Sequence, residues 1–154
     1  MSPKLQSAIK QKRPFGSLEQ EVSLTLTRLA SELNAAQADL LRGAGVTWTQ
    51  YNALRILRGA EGEPLSCGDI GERMISRDSD VTRLLDRLEK QGLVHRARGE
   101  RDRRVVKTRI TDKGLALLAE LDQPVAEMHT RQLGHLGTAK LRTLLSLLEE
   151  ASET

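Results

Sequence analysis

Aromatic residues are almost missing from this chain. Phe15, Trp48 and Tyr51 are the only three in 154 residues. Modules that hold single-stranded nucleic acid stack bases on aromatic platforms, and three scattered rings do not make one. Cysteine is equally scarce. Cys67 is alone, so no intramolecular disulfide can form, and the composition fits a reducing cytoplasm. At a helix start this residue reads better as a small packing side chain than as a redox thiol. His95, His129 and His135 do not fall at metal-ligand spacing, so neither a metal nor another cofactor is expected. No apolar run approaches the roughly 20 residues that cross a bilayer. The opening MSPKLQSAIKQKRP lacks the apolar core of a secretory signal. No P-loop, dinucleotide fingerprint or Ser/His/Asp arrangement is visible, so no catalytic residue is expected.

What is present is charge, unevenly placed. Charged residues make up 29% of the chain, with a net charge of only +3. Between Arg96 and Arg109 lie seven cations, Arg96, Arg98, Arg101, Arg103, Arg104, Lys107 and Arg109, against Glu100 and Asp102. The excess in this short stretch exceeds that of the whole chain. The remainder is therefore slightly acidic and the basic patch is local.

The patch follows an amphipathic segment, DSDVTRLLDRLEKQGLVHR, that starts at residue 78. Val81, Leu84, Leu85 and Leu88 recur at helical spacing and leave Thr82, Arg83, Asp86, Arg87 and Lys90 outside. Asp78 or Ser79 is the expected N-cap, and Gly92 the expected stop. The period then changes. Val106, Thr108 and Ile110 alternate with Val105, Lys107 and Arg109, as in a strand with one face inward. The neighbourhood of Val94 supplies a partner strand, and residues 98–103 form the hairpin loop. A cationic helix joined to a cationic hairpin suits duplex DNA: the helix enters the major groove and the hairpin reaches backbone or minor groove.

The flanks read as helices. Residues 1–16 form a basic arm with a helical turn around Leu5 and Ile9. Ser17 and Gln20 look like a capping box opening a long helix, in which Leu18, Val22, Leu26, Leu29, Leu33, Ala36 and Leu40 trace a near-heptad seam. Thr47 or Thr49 starts the next helix, with Tyr51, Leu54 and Leu57 inward. Ser66 and Asp69 cap a short one that buries Ile70 and Met74. Thr111 opens another, carrying Leu115, Leu118, Leu121 and Val125, with Pro124 inside it as a kink or a division. A last helix carries Leu141, Leu144, Leu145 and Leu148. The fold expected is mainly α with a small β-hairpin, a winged helix-turn-helix flanked by N- and C-terminal dimerisation helices. The boundaries are 17–45 and 115–154 for dimerisation and 46–114 for the winged domain.

The order and spacing of VTWTQYNAL (46–54), GDIGERM (68–74), DSDVTRLLDRLEKQGLVHR (78–96), DRR (102–104) and IT with Gly114 resemble the MarR family of bacterial transcription regulators over roughly residues 17–150. The resemblance implies a homodimer on a palindromic double-stranded DNA operator, most often a repressor released by a small, often aromatic, ligand. The DNA-binding residues expected are Ser79, Asp80, Thr82, Arg83, Arg87, Arg98, Arg101, Asp102, Arg103 and Arg104, of which Thr82, Arg83, Arg87, Asp102 and Arg104 match positions of the family. Arg104 matches the wing arginine that enters the minor groove, and Asp102 the acid that holds it. Arg83 is the guanine reader and Arg87 a phosphate contact. Asp80 departs from the family, whose members often carry Ser or Thr nearby. Trp48 and Tyr51 are expected to line the ligand site. The competing reading is a winged-helix module that binds protein and not DNA. So dense a cationic hairpin argues against it.

Overall fold

The computed structural model describes residues 3–77 and 80–153. Asp78 and Ser79, the expected cap and one expected DNA contact, lie outside the described residues. The elements run α1 (Pro3–Ala8), α2 (Leu18–Arg42), α3 (Trp48–Gly59), β1 (Leu65–Ser66), α4 (Cys67–Arg73), α5 (Val81–Lys90), β2 (Val94–Arg98), β3 (Val106–Ile110), α6 (Asp112–Leu133), a 3₁₀ turn (Gly134–Leu136) and α7 (Gly137–Ser152). None of the described helices is long and apolar enough to cross a membrane. The chain divides into two units, with the boundary at residues 36 and 37, inside α2.

The first unit holds α1 and most of α2. α1 is a full helix turn and more, anchored by Leu5, which is buried beside Leu24 and Thr27 of α2. The start of α2 is capped much as expected. Ser17 Oγ accepts the Gln20 amide at 3.1 Å, while the Gln20 side chain accepts from Gly16, one residue outside the usual box, at 2.7 Å. The apolar seam is largely uncovered: Leu18 is 70% and Val22 50% exposed, and Leu26 and Leu29 are exposed too.

The second unit carries the winged domain, and its helices start where side chains satisfy free amides. Thr47 and Gln50 form a reciprocal capping box on α3, and Ser66 and Asp69 form one on α4. Thr111 Oγ1 accepts the Gly114 amide at the start of α6. The sheet has three antiparallel strands in the order β1-β3-β2, one more than the sequence suggested. β1 pairs Leu65 with Thr108, and β2 pairs Val94 with Ile110 through to Arg98 with Val106. Two residues are too few to show alternation, so β1 exists only because β3 offers it an edge.

The core of this unit is aliphatic. Leu54, Leu57, Ile70, Leu85, Leu88 and Leu118 are fully buried, each contributing roughly 1.5–3 kcal/mol by leaving water. Thr108 is fully buried with them, and its hydroxyl has no partner among the described residues. Val106, expected inward, is 40% exposed because it sits at the loop end of the hairpin, opposite Arg98 and beyond the buried part of the sheet. Pro124 does not divide α6, which runs unbroken through it. Proline removes one amide donor, and one lost bond is tolerable in a helix of 22 residues whose Leu118, Leu121, Val125 and Met128 are buried. α7 buries none of its residues, and Leu145, Leu147 and Leu148 are 56%, 59% and 41% exposed.

Gly114 marks the tightest approach. A β-carbon there would lie 2.5 Å from the Leu93 carbonyl oxygen and 2.7 Å from Ile110 Cγ1. Alanine would gain up to about 1 kcal/mol of helix propensity. The clash with a backbone oxygen costs more, roughly 1–3 kcal/mol or above. Gly114→Ala is therefore expected to destabilise the fold by at least about 1 kcal/mol in urea unfolding. An unchanged midpoint would contradict this packing.

Candidate nucleic-acid interface

Helix α5 turns Leu84, Leu85 and Leu88 into the core and leaves Thr82, Arg83 and Arg87 exposed on the other side. Its cap is Asp80, whose carboxylate accepts the Arg83 amide at 3.1 Å. Asp80 is thus engaged in helix initiation, which gives this acid a structural reason to stand among cations. Its second oxygen lies 3.8 Å from Arg83 Nε, a loose exposed pair worth roughly 0–1 kcal/mol. Beside the helix, Thr47, Thr49, Gln50, Ser76, Asp80, Arg83 and Arg87 line a shallow cleft, so the start of α3 shares the face that presents the arginines. The turn before α5 is held by Asn52, a buried side chain that accepts the Ile75 amide at 3.0 Å.

The far end of α5 is tied down by backbone chemistry. Gly92 adopts φ +74, the left-handed conformation that ends a helix without steric penalty. Lys113 Nζ donates to the Gln91 carbonyl at 2.8 Å, and Thr111 Oγ1 donates to the Gly92 carbonyl at 2.7 Å. These residues open α6, so the end of α5 and the start of α6 are one joint. The lysine also places a positive charge at the helix's negative pole.

The wing begins at β2, and its first cation is not free. Arg96 Nη2 lies 2.6 Å from Asp86 Oδ1 and 3.1 Å from Glu89 Oε1, and the Arg96 amide donates to Glu89 Oε2 at 2.9 Å. Hydrogen bonds from the Arg96 side chain, then from its amide, hold the Glu89 carboxyl below its ordinary range. The folded carboxyl keeps its charge to lower pH than the unfolded one. The clamp therefore contributes fully at neutral pH and is lost as acidification passes below that range.

At the wing tip the backbone is cross-tied. Gly99 donates to the Val105 carbonyl at 2.8 Å, and the Val105 amide to the Asp102 carbonyl at 3.2 Å. Asp102 Oδ1 accepts the Arg104 amide at 2.9 Å. The acid expected to hold the Arg104 guanidinium holds its backbone instead, and among the described residues no ion pair joins the two side chains. The Arg98, Arg101, Arg103 and Arg104 side chains are exposed around this fixed loop. The charge pattern places these four among seven cations without separating them from Arg96; the engagement of Arg96 and the backbone role of Asp102 depend on distances that no spacing rule contains.

Elsewhere, Trp48 and Tyr51 form an aromatic pair with ring centroids 5.7 Å apart, and Arg55 lies over the Tyr51 ring. Trp48 is half-buried and Tyr51 buried, and burial raises the Tyr51 phenol above its ordinary range. Arg58 makes a two-pronged bond to Asp122 at 2.9 Å, pinning α3 to α6. Cys67 is half-buried at the start of α4. The three histidines are exposed, and among the described residues no group of side chains is arranged to hold a metal.

The MarR family model matches residues 46–106, the segment carrying α5 and the wing. The transcriptional regulator TtmR of Methylorubrum extorquens is 36% identical over 106 residues, covering 69% of this chain, which in turn spans about half of that protein, 53%. Among solved structures, a MarR transcription factor from Planctomyces limnophilus is 40% identical, with a TM-score of 0.69 and coverage of 88% of this chain and 98% of that one. The PcaV regulator of Streptomyces coelicolor, solved in complex with its natural ligand, is 26% identical, with a TM-score of 0.69 and coverage of 82% and 90%.

The capping assignment of Asp80 is directly testable. Asp80→Ala is expected to lower stability by about 1 kcal/mol and Asp80→Asn by only a few tenths, because the amide oxygen still accepts the Arg83 N–H. Urea unfolding of both variants measures this. Equal losses for the two would show that charge, and not capping, is what the position supplies.

Proposed function

The chain belongs to the MarR family of transcription regulators, and we propose that it is a cytoplasmic homodimeric repressor that holds a palindromic DNA operator with two winged domains and releases it on binding a small aromatic ligand. The observation that carries this reading is the reading helix and wing taken together. Thr82, Arg83 and Arg87 stand exposed on a helix whose other side is sealed, beside a cross-tied loop bearing Arg98, Arg101, Arg103 and Arg104. Arg83, in the first turns of the helix, forks onto guanine O6 and N7. Arg87, one turn further, and the arginines around the wing meet phosphate. Arg104 enters the minor groove, where a narrow A·T-rich stretch concentrates negative potential. Asp102 sets the backbone from which it projects.

Residues 46–114 form the reading domain in this proposal, and 17–45 with 115–154 the dimerising parts. The leucines that α2 and α7 each leave exposed support a second copy, since an apolar stripe along a helix is disfavoured in water. A two-fold dimer reads half-sites about 10 bp apart, centre to centre. That PcaV was solved with its natural ligand bound supports a small-molecule site in this fold, with Trp48 and Tyr51 as its proposed aromatic lining; ligand and operator then weaken each other reciprocally, by roughly 1–3 kcal/mol.

Selection of bound duplexes from a random pool tests the reading at once: a two-fold symmetric sequence is expected, and recovery of unrelated sequences would sink it. On the selected operator, Arg83→Ala is expected to lose roughly 1–3 kcal/mol and to relax preference at one base pair per half-site. Arg87→Ala should weaken binding to all sequences alike and flatten the salt dependence by about one phosphate contact per subunit. Arg104→Ala should blunt any A·T preference beside the half-sites, and Asp102→Ala should do so more weakly. Tighter binding on losing Asp102 would mean that its charge outweighs its brace. For the dimer, sedimentation of the Leu144→Glu/Leu148→Glu double variant is expected to show monomers or unfolded chain, against a stable dimer for the parent protein at micromolar concentration.

A further inference from the structure

Arg96 is the first cation of the basic stretch, and by position in the sequence it belongs with the DNA contacts. Its surroundings say otherwise. The side chain is only 21% exposed and lies between two carboxylates of the reading helix, Asp86 and Glu89. Glu89 is engaged twice, by the guanidinium at 3.1 and 3.3 Å and by the Arg96 amide at 2.9 Å. One acid on α5 therefore grips both the backbone and the side chain of one residue on β2. Arg96 stands opposite Thr108 in the sheet, on the same face as that buried residue, while its neighbours His95 and Ala97 are exposed. With two carboxylates against one guanidinium, the cluster offers no net positive charge to a phosphate.

We propose that Arg96 is a positioning residue for DNA recognition: clamped by Asp86 and Glu89, it fixes the angle of the wing on the reading helix, so that major-groove and minor-groove contacts are made as one rigid unit. This rests on the DNA-binding reading above. The physical reason is the geometry of guanidinium. A planar fork holds two acids in fixed directions, which an ammonium on a flexible stem does not. The hairpin's own ladder gives it internal rigidity but says nothing of its tilt. β1 holds the hairpin on the β3 side, while Arg96 and the joint at Gly92 tie β2 to the α5 helix itself.

Three variants decide it: Arg96→Gln, Arg96→Lys and Glu89→Gln, each first checked for a folded chain by circular dichroism. On the selected operator, Arg96→Gln and Arg96→Lys are each expected to lose about tenfold in affinity, with the salt dependence unchanged, because no phosphate contact is removed. Hydroxyl-radical footprints should lose protection in the flanking minor groove and keep it over the half-sites. Glu89→Gln should give the same footprint and weaker binding, although it removes a negative charge near DNA. Tighter binding by Glu89→Gln, a flattened salt dependence for Arg96→Gln, or full activity in Arg96→Lys would overturn the proposal in favour of a plain cationic contact. Hydrogen exchange without DNA separates this from the wider reading. β2 and β3 amides are expected to exchange about tenfold faster in Arg96→Gln than in the parent chain. If the parent protein selects no DNA, the regulatory reading fails, while unchanged exchange rejects the clamp itself.

Discussion

A helix of ten residues is not stable alone in water, since the cost of nucleation is recovered only over a longer run of hydrogen bonds. The reading helix α5 has that length, and much of the winged domain can be understood as what holds it. Leu84, Leu85 and Leu88 seat it in the aliphatic core. Asp80 closes its first turn, Gly92 ends it, and Thr111 and Lys113 cover the carbonyls it leaves bare. The face left over, Thr82, Arg83 and Arg87, is free of structural duty apart from the loose Arg83–Asp80 pair, and so is available for recognition.

The same economy governs charge. Cations that look alike in a row divide into two kinds once distances are known. Arg96 and Arg58 are held in forks by acids on neighbouring helices and contribute to architecture. Arg98, Arg101, Arg103 and Arg104 surround a loop whose backbone is tied by Gly99, Asp102 and Val105; all four are exposed, and the Arg98 guanidinium also reaches the Arg103 carbonyl at 3.5 Å. A pre-set loop loses less backbone entropy on binding, which is why an acid beside an arginine can favour an anionic partner.

Apolar surface is distributed just as unequally. The winged domain buries its leucines almost completely, while α7 buries none of its residues and the N-terminal part of α2 leaves Leu18 and Val22 largely in solvent. The winged domain thus has a sealed core of its own, and the apolar stripes left bare on the two helices are what the proposed pairing with a second copy would cover.

Local signals sufficed for most of the helices and for which face of α5 stays exposed. Capping boxes at Thr47–Gln50 and Ser66–Asp69, the leucine period of α5 and the alternation at 106–110 all act between residues a few positions apart, and spacing in the chain is spacing in space there. The match of ordered motifs to the MarR family was readable for the same reason. Tertiary structure alone decided the rest. β1 is a strand because β3 passes beside it, and Val106 is exposed because it lies at the loop end of its hairpin, beyond the core. Pro124 stays within α6 because the buried face of that helix outweighs one missing bond. Arg96 became a strut, Asp102 a backbone brace and Gly114 a contact point only when residues distant in sequence, or turned by a loop, came within bonding range. Sequence periodicity specifies which side of an element is apolar. It carries no information on which partner lies opposite, and that partner determines whether an arginine is a contact or a bolt.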